Sequence, residues 1–209
     1  MRLPREIEEL DLVGGSLAVD FVNTADSATP QGPITDDHIR NFELLVGWAQ
    51  RIGLVDTTTA DLFVEGQSRR PQEAAGVHRE ALELRDALYD LLKASAVKAE
   101  PRETSEAVLR NRERDALGKA RLVWRRDRWR WEWGRPNHPR DILWPIVHSG
   151  SDLLTSEAVN RLRLCRGCRW LFMDLSRNSS RRWCTMAGCG NRAKARRFAA
   201  RRRATRGDQ

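Results

Sequence analysis

Four cysteines, Cys165, Cys168, Cys184 and Cys189, are the only thiols in a chain of 209 residues, and they lie close together near its end. Their spacing is C-x2-C, fifteen intervening residues, then C-x4-C. Each close pair can bring two thiolates to one metal at little cost in loop entropy, and the interval leaves room for a hairpin. That is the pattern of a tetrahedral zinc site. A redox C-x2-C would need a βαβ context that is missing around Cys165 and Cys168, and it would leave the second pair unexplained. Disulfides require an oxidising compartment. The opening MRLPREIEEL is acidic and lacks the apolar run of a secretory leader, and the longest apolar block, residues 142–147, is too short to span a bilayer. The expectation is a cytoplasmic protein without a membrane segment, holding one structural Zn2+ on four cysteines.

Charge is concentrated around those sulfurs. Residues 161–209 hold 15 Lys and Arg against Asp174 and Asp208, a net of +13, while residues 1–160 hold 22 against 27 acids, a net of −5. Four thiolates and Zn2+ leave a centre of roughly −2, which needs nearby cations or N–H donors. Fifteen basic groups exceed that need, so the surplus points to an anionic partner. Arg177, Asn178, Ser179, Arg181 and Arg182 form a plausible phosphate-grasping loop, since guanidinium forks match phosphate oxygens in pairs. Arg192, Lys194, Arg196, Arg197, Arg201 and Arg203 spread around a C-terminal helix in which Ala195, Phe198 and Ala199 make a small apolar face. DNA is the expected partner of this surface, with RNA as the alternative.

The elements that position this stretch can be read from hydrophobic period and punctuation. Residues 12–24, LVGGSLAVDFVNT, fit either a helix capped by Ser16 or a strand. A loop over 26–37 ends in Thr35 or Asp36 as an N-cap, and helices are predicted over about 38–52, 57–68, 72–98 and 103–117. Val77, Ala81, Leu84, Leu88, Leu91 and Leu92 make the apolar seam of the longest. Period two over 120–134 predicts a hairpin turning at Arg126 and Asp127, with Trp124, Trp129, Trp131 and Trp133 as a sheet face packed on helices. A helix over about 139–154, kinked at Pro145, precedes a short strand over 161–164. Beyond Cys168 a strand over 169–173, turn residues 174–180 and a return over 181–183 lead to Cys184. Cys189 opens the last helix. Trp170, Phe172, Trp183 and Phe198 are the expected apolar core of the module, and its order of knuckle, hairpin and ligand-bearing helix is a treble clef.

Phe172-Met173-Asp174, Ser176, Asn178, the run from Ser180 to Cys184, and Cys189-Gly190-Asn191-Arg192 with Ala193 and Lys194 resemble the CGNR zinc finger. The N-terminal GGSLAVDFVNT, with Asp20, Asn23 and Thr24, is similar to the opening of an ABATE domain. The resemblance implies an α+β protein: a mainly helical ABATE-like unit with a small hairpin over 1–158, for ligand binding or regulation, and a treble-clef finger over 159–209. It further implies a bacterial stress-response transcription regulator, nucleoid-associated, whose finger binds DNA and whose N-terminal unit binds a small ligand. Arg181, Arg182, Arg192 and Lys194 carry over as candidate DNA contacts. Asp20 and Asn23, polar groups in an apolar segment, either line a ligand pocket or cross-link the N-terminal element. His38, His78, His138 and His148 form no catalytic cluster, and neither a nucleophile–base pair nor a phosphate-binding loop is present. The chain is therefore read as a non-enzyme.

Overall fold

Ser16 decides the first ambiguous element. Gly15 takes a left-handed backbone with φ +84°, and the Ser16 hydroxyl accepts a hydrogen bond from Val19 N–H at 3.3 Å. An N-cap of this kind satisfies a donor that a starting helix leaves free, so the segment is helical: α2 spans Leu17–Val22 and buries Ala18, Val19, Phe21 and Val22. The computed structural model describes residues 2–207, and side chains as far as Arg203. A one-turn helix α1, Arg5–Glu8, precedes α2.

The 26–37 loop is closed by a minimal antiparallel ladder, β1 Ala25–Asp26 with β2 Asp36–Asp37. Helix α3, Phe42–Arg51, starts later than its sequence predicts. Its cap is Asn41, which accepts from Leu44 N–H at 2.9 Å, and neither Thr35 nor Asp36 fills that role. Helix α4, Thr57–Arg69, is capped by Asp56 as expected. Helix α5, Pro71–Val97, buries its whole predicted seam and ends at Lys98 in the left-handed conformation. Helix α6, Glu103–Lys119, buries only Ser105 and Ala116 and is peripheral.

Strands β3 Arg121–Arg125 and β4 Arg128–Glu132 form the anticipated hairpin, turning at Arg126 and Asp127 with φ 45° and 65°. Positive φ at both central residues matches the twist of a two-residue hairpin. The expected burial of its tryptophans is not observed. Leu122, Trp124, Trp129 and Trp131 share one face, which is largely open: Trp124 and Trp129 are 57% and 62% exposed, while Trp131 meets the His148 ring of the helix over Leu143–Thr155 edge to face at 6.1 Å. Trp124 and Trp129 instead meet each other edge to face at 5.4 Å. Only Trp133 turns inward, donating its indole N–H to the Ala116 carbonyl at 2.8 Å.

Helix α7, Leu143–Thr155, follows a 3-10 turn over Pro139–Ile142 that His138 and Asp141 cap reciprocally. Pro145 falls in the first turn of α7, where an N–H has no intrahelical acceptor, so its missing N–H breaks no helical bond. Strands β5 Leu162–Leu164 and β6 Leu171–Met173 pair antiparallel. Helix α8, Asn191–Gly207, completes the described chain. The architecture is α+β, with three separate two-stranded sheets among the described residues. One apolar cluster runs through α2, α3, α5 and α7 and includes Leu171, Phe172, Met173 and all four cysteines. No described helix is long and apolar enough to cross a membrane.

Candidate metal centre and nucleic-acid interface

The strand that leaves the first cysteine pair does not pair with the returning chain. β6 pairs back onto β5, so the two strands flank the knuckle and deliver Cys165 from one arm, with Cys165 N–H bonded to the Trp170 carbonyl at 2.9 Å. Residues 174–183 return as a loop because Asp174 gathers them. Its buried carboxylate accepts from Ser176 N–H, from the Ser176 hydroxyl at 2.5 Å, and from Arg181 N–H at 3.0 Å. The Ser176 hydroxyl, with burial opposing it, leads in holding this carboxyl below the usual range. Gly167 is required by close approach: a Cβ there would stand 3.0 Å from Cys189 Cβ.

All four cysteines are buried, and their sulfurs lie within 4.8 Å of one another. Cys184 Sγ is 3.7 Å from Cys168 Sγ and 3.6 Å from Cys189 Sγ. A tetrahedron with Zn–S bonds of about 2.3 Å has an edge of about 3.8 Å, and the two separations from Cys184 fit it. Gly167 N–H and Cys184 N–H point at Cys165 Sγ from 3.3 and 3.4 Å. The contact with Cys168 pulls the Cys165 thiol down, while contact with Cys165 pushes Cys168 up and Cys184 up to about 12. Four sulfurs this close ionise together only around a cation. Cys189 sits in a wide turn, Met186–Gly190, capped by Thr185 and leading into α8, one element earlier than its predicted place in the helix.

Two candidate contacts are engaged at this centre. Arg192 donates to Cys189 Sγ at 2.8 Å, and Arg181 donates to the carbonyls of Trp183 and Cys184 while lying 4.4 Å over the Phe172 ring. Arg169 is buried and stacks on Tyr89 at 4.0 Å, so it offers no surface charge. Arg177, Asn178, Arg182, Lys194, Arg196 and Arg197 are exposed. Trp170 and Phe172 are buried as expected, but Phe198 is 64% exposed and Ala195 and Ala199 pack under no hairpin. Phe198 is the only large apolar side chain of α8 as far as Arg203, too little to hold the helix against the body. A cleft of about 550 Å³ lies beside the sulfurs, with Arg192 and Arg196 lining it together with Asp11 and Asp26.

The ABATE model, described as "Putative stress-induced transcription regulator", matches residues 15–157, and the CGNR zinc finger model matches residues 161–202. The chain belongs to the ABATE family. Its CGNR finger places Cys165, Cys168, Cys184 and Cys189 to coordinate one zinc ion. Comparison with individual curated proteins gives no match. Neither matching family is an enzyme family.

In this ABATE protein, Asn23 joins the N-terminal segment to the finger. It is buried, its amide N–H donates to the Leu171 carbonyl at 2.8 Å, and its carbonyl accepts from Leu171 N–H at 2.9 Å. Asp20 accepts from Gly14 N–H at 2.8 Å, and burial pushes its carboxyl up. Of the two roles read for these residues, cross-linking is the one their contacts serve, and neither lines the cleft beside the sulfurs. Gly14 also accepts from Met173 N–H at 2.8 Å, and Trp170 donates to the Ala25 carbonyl at 3.2 Å. Asn23→Ala strips both partners from a buried peptide unit, where each unsatisfied group costs about 1–3 kcal/mol. We expect a loss of about 2–4 kcal/mol, read as a lower urea midpoint at unchanged slope.

The sequence gives no local sign of the buried pair Arg85 and Asp37. Arg85 on α5 grips Asp37 through two bonds of 2.7 Å and also reaches the Thr24 hydroxyl at 3.2 Å. An arginine in an otherwise apolar helical seam is the one available signal, and it does not name its partner.

Proposed function

We propose that this protein is a DNA-binding transcription regulator of the stress response, acting in the bacterial cytoplasm, with an N-terminal unit that senses a small ligand. The observation that carries the reading is α8. From Asn191 to Arg203 it has no acidic residue and no packed apolar face, and its exposed Lys194, Arg196 and Arg197 extend from a closed metal centre. Arg177, Asn178 and Arg182 lie on the loop that leads back to that centre. A helix of this kind gains little from its own chain and much from a polyanion. Arg181 and Arg192 act one step back, bracing the finger and neutralising its thiolates, while the exposed cations meet phosphate. The zinc, with four protein ligands, keeps no open position for a substrate and serves to hold the fold, so the protein is not an enzyme in this reading.

Each neutralised phosphate should contribute about −0.9 to the slope of log K against log[salt]. Five exposed cations then give a slope of about −4 to −5, or a loss of about 10² to 10³ in affinity between 50 and 200 mM salt. Fluorescence anisotropy with duplex DNA measures it, and a flat response would sink the reading. Competition with structured RNA at fixed salt decides which polymer is preferred.

A further inference from the structure

We infer that the cleft between α4 and the 135–139 segment binds a small organic carboxylate bearing an apolar ring or chain. The cleft has a volume of about 570 Å³, within the range of small-molecule sites. Phe42, Leu62 and Phe63 supply its apolar wall, and Leu62 is 63% exposed to it. Gly66 stands among them in mid-helix. A glycine there costs about 1 kcal/mol against alanine, and packing does not require it, because a Cβ at Gly66 would meet no atom within 4 Å. What the missing side chain preserves is open space inside the cleft.

The charges select an anion. Glu73, the acid of the lining, is already paired with His138 at 2.6 Å and Arg70 at 3.5 Å, and Arg135 is paired with Asp56 at 2.6 Å. Among the described residues the Arg69 guanidinium has no hydrogen bond or ion pair, nor have the side-chain amides of Gln67 and Asn137. An uncommitted guanidinium beside two free amides and an apolar wall is complementary to a carboxylate attached to hydrocarbon.

The inference rests on reading the N-terminal unit as the sensing part of a regulator. Binding is therefore measured on the zinc-loaded full chain without DNA, so its failure and that of the finger's DNA binding are separable. Calorimetry with 1-naphthoate is expected to show saturable one-to-one binding, with the uncharged 1-naphthamide at least about ten-fold weaker. Gly66→Phe, which fills the cleft, should abolish naphthoate binding at an unchanged melting temperature. Arg69→Gln, at an exposed position, should weaken naphthoate about ten-fold and erase the gap between acid and amide, which keeps the test decisive if the phenylalanine disturbs α4. Absence of saturable naphthoate binding, equal binding of acid and amide by the native chain, or undiminished binding by a folded Gly66→Phe chain would overturn it.

Discussion

Cys184→Ser is expected to leave the chain without zinc and to melt residues 161–203. Cys184 lies 3.7 and 3.6 Å from the sulfurs of Cys168 and Cys189, and its own N–H points at Cys165. A serine there breaks the tetrahedron at the ligand that touches all the others. Structural zinc is worth about 10–16 kcal/mol in apparent binding free energy at neutral pH. A whole domain is stable by only about 5–15 kcal/mol, so loss of the metal is not absorbed locally. The damage should spread further, because Leu171 and Phe172 belong to the common core and Leu171 is bonded both ways to Asn23. Elemental analysis should fall from one zinc per chain to none, and amide exchange should show lost protection across the finger and into α2. One retained zinc in the serine variant would refute the ligand assignment. Treatment of the native chain with a chelator should reproduce the same exchange pattern.

Asp37→Ala should lower stability by about 3 kcal/mol. Breaking a buried ion pair from one side typically costs about 3–5 kcal/mol, because the surviving charge has neither water nor partner. The low end applies here, since Asp37 keeps 24% of its side chain exposed while Arg85 keeps 3%. Arg85 Nε already lacks an acceptor, which leaves the guanidinium little reserve. Burial pushes the Asp37 carboxyl up, and the hydrogen bonds and charge of Arg85 more than offset it, so its folded value is below the ordinary one. A carboxylate depressed in this way contributes stability that is present above its unfolded value of about 3.9 and lost as pH falls through the folded value. The gap between native and Asp37→Ala urea midpoints should therefore be full at neutral pH and narrow below about pH 4. A gap independent of pH would mean that the pair is not the source of the loss. Arg85→Met, which removes both the charge and its demand for a partner, should cost less than Asp37→Ala.

What could be read from the chain divides along contact distance. The zinc ligands were legible because a tetrahedral ion fixes close sequence spacing, and Asp56 and the α5 seam were legible because caps and helical periods are local. Residues 12–24 carried both periods, and the hydrogen bond by which Ser16 caps the helix, which settles them, exists only in three dimensions. The Asn23 amide finds its backbone partner 148 positions away, and Arg85 finds Asp37 across 48; no local pattern encodes either. The β1–β2 ladder is too short to have a period. The tryptophan hairpin failed in a different way. Alternation correctly identified strands and a shared face, but it carries no information about whether another element lies on that face. In α8, the same limit hid that Phe198 stays exposed, with the Arg202 guanidinium of its own helix 5.9 Å from its ring.

The largely open face of that hairpin also bears on how the protein behaves among its own copies. Paired strands end in open edges, and an open edge beside exposed tryptophan is a template for strand addition and aggregation. Between Arg121 and Glu132 the arm carries five arginines against Asp127 and Glu132, so two such arms approaching each other bring like charges together. The arginines act as gatekeepers for the face that the tryptophans leave open. Their protection is Coulombic and shortens with the Debye length. The same rise in salt that would release the finger from a polyanion thus also lowers the barrier between two hairpins, and colloidal stability and DNA affinity should fall together.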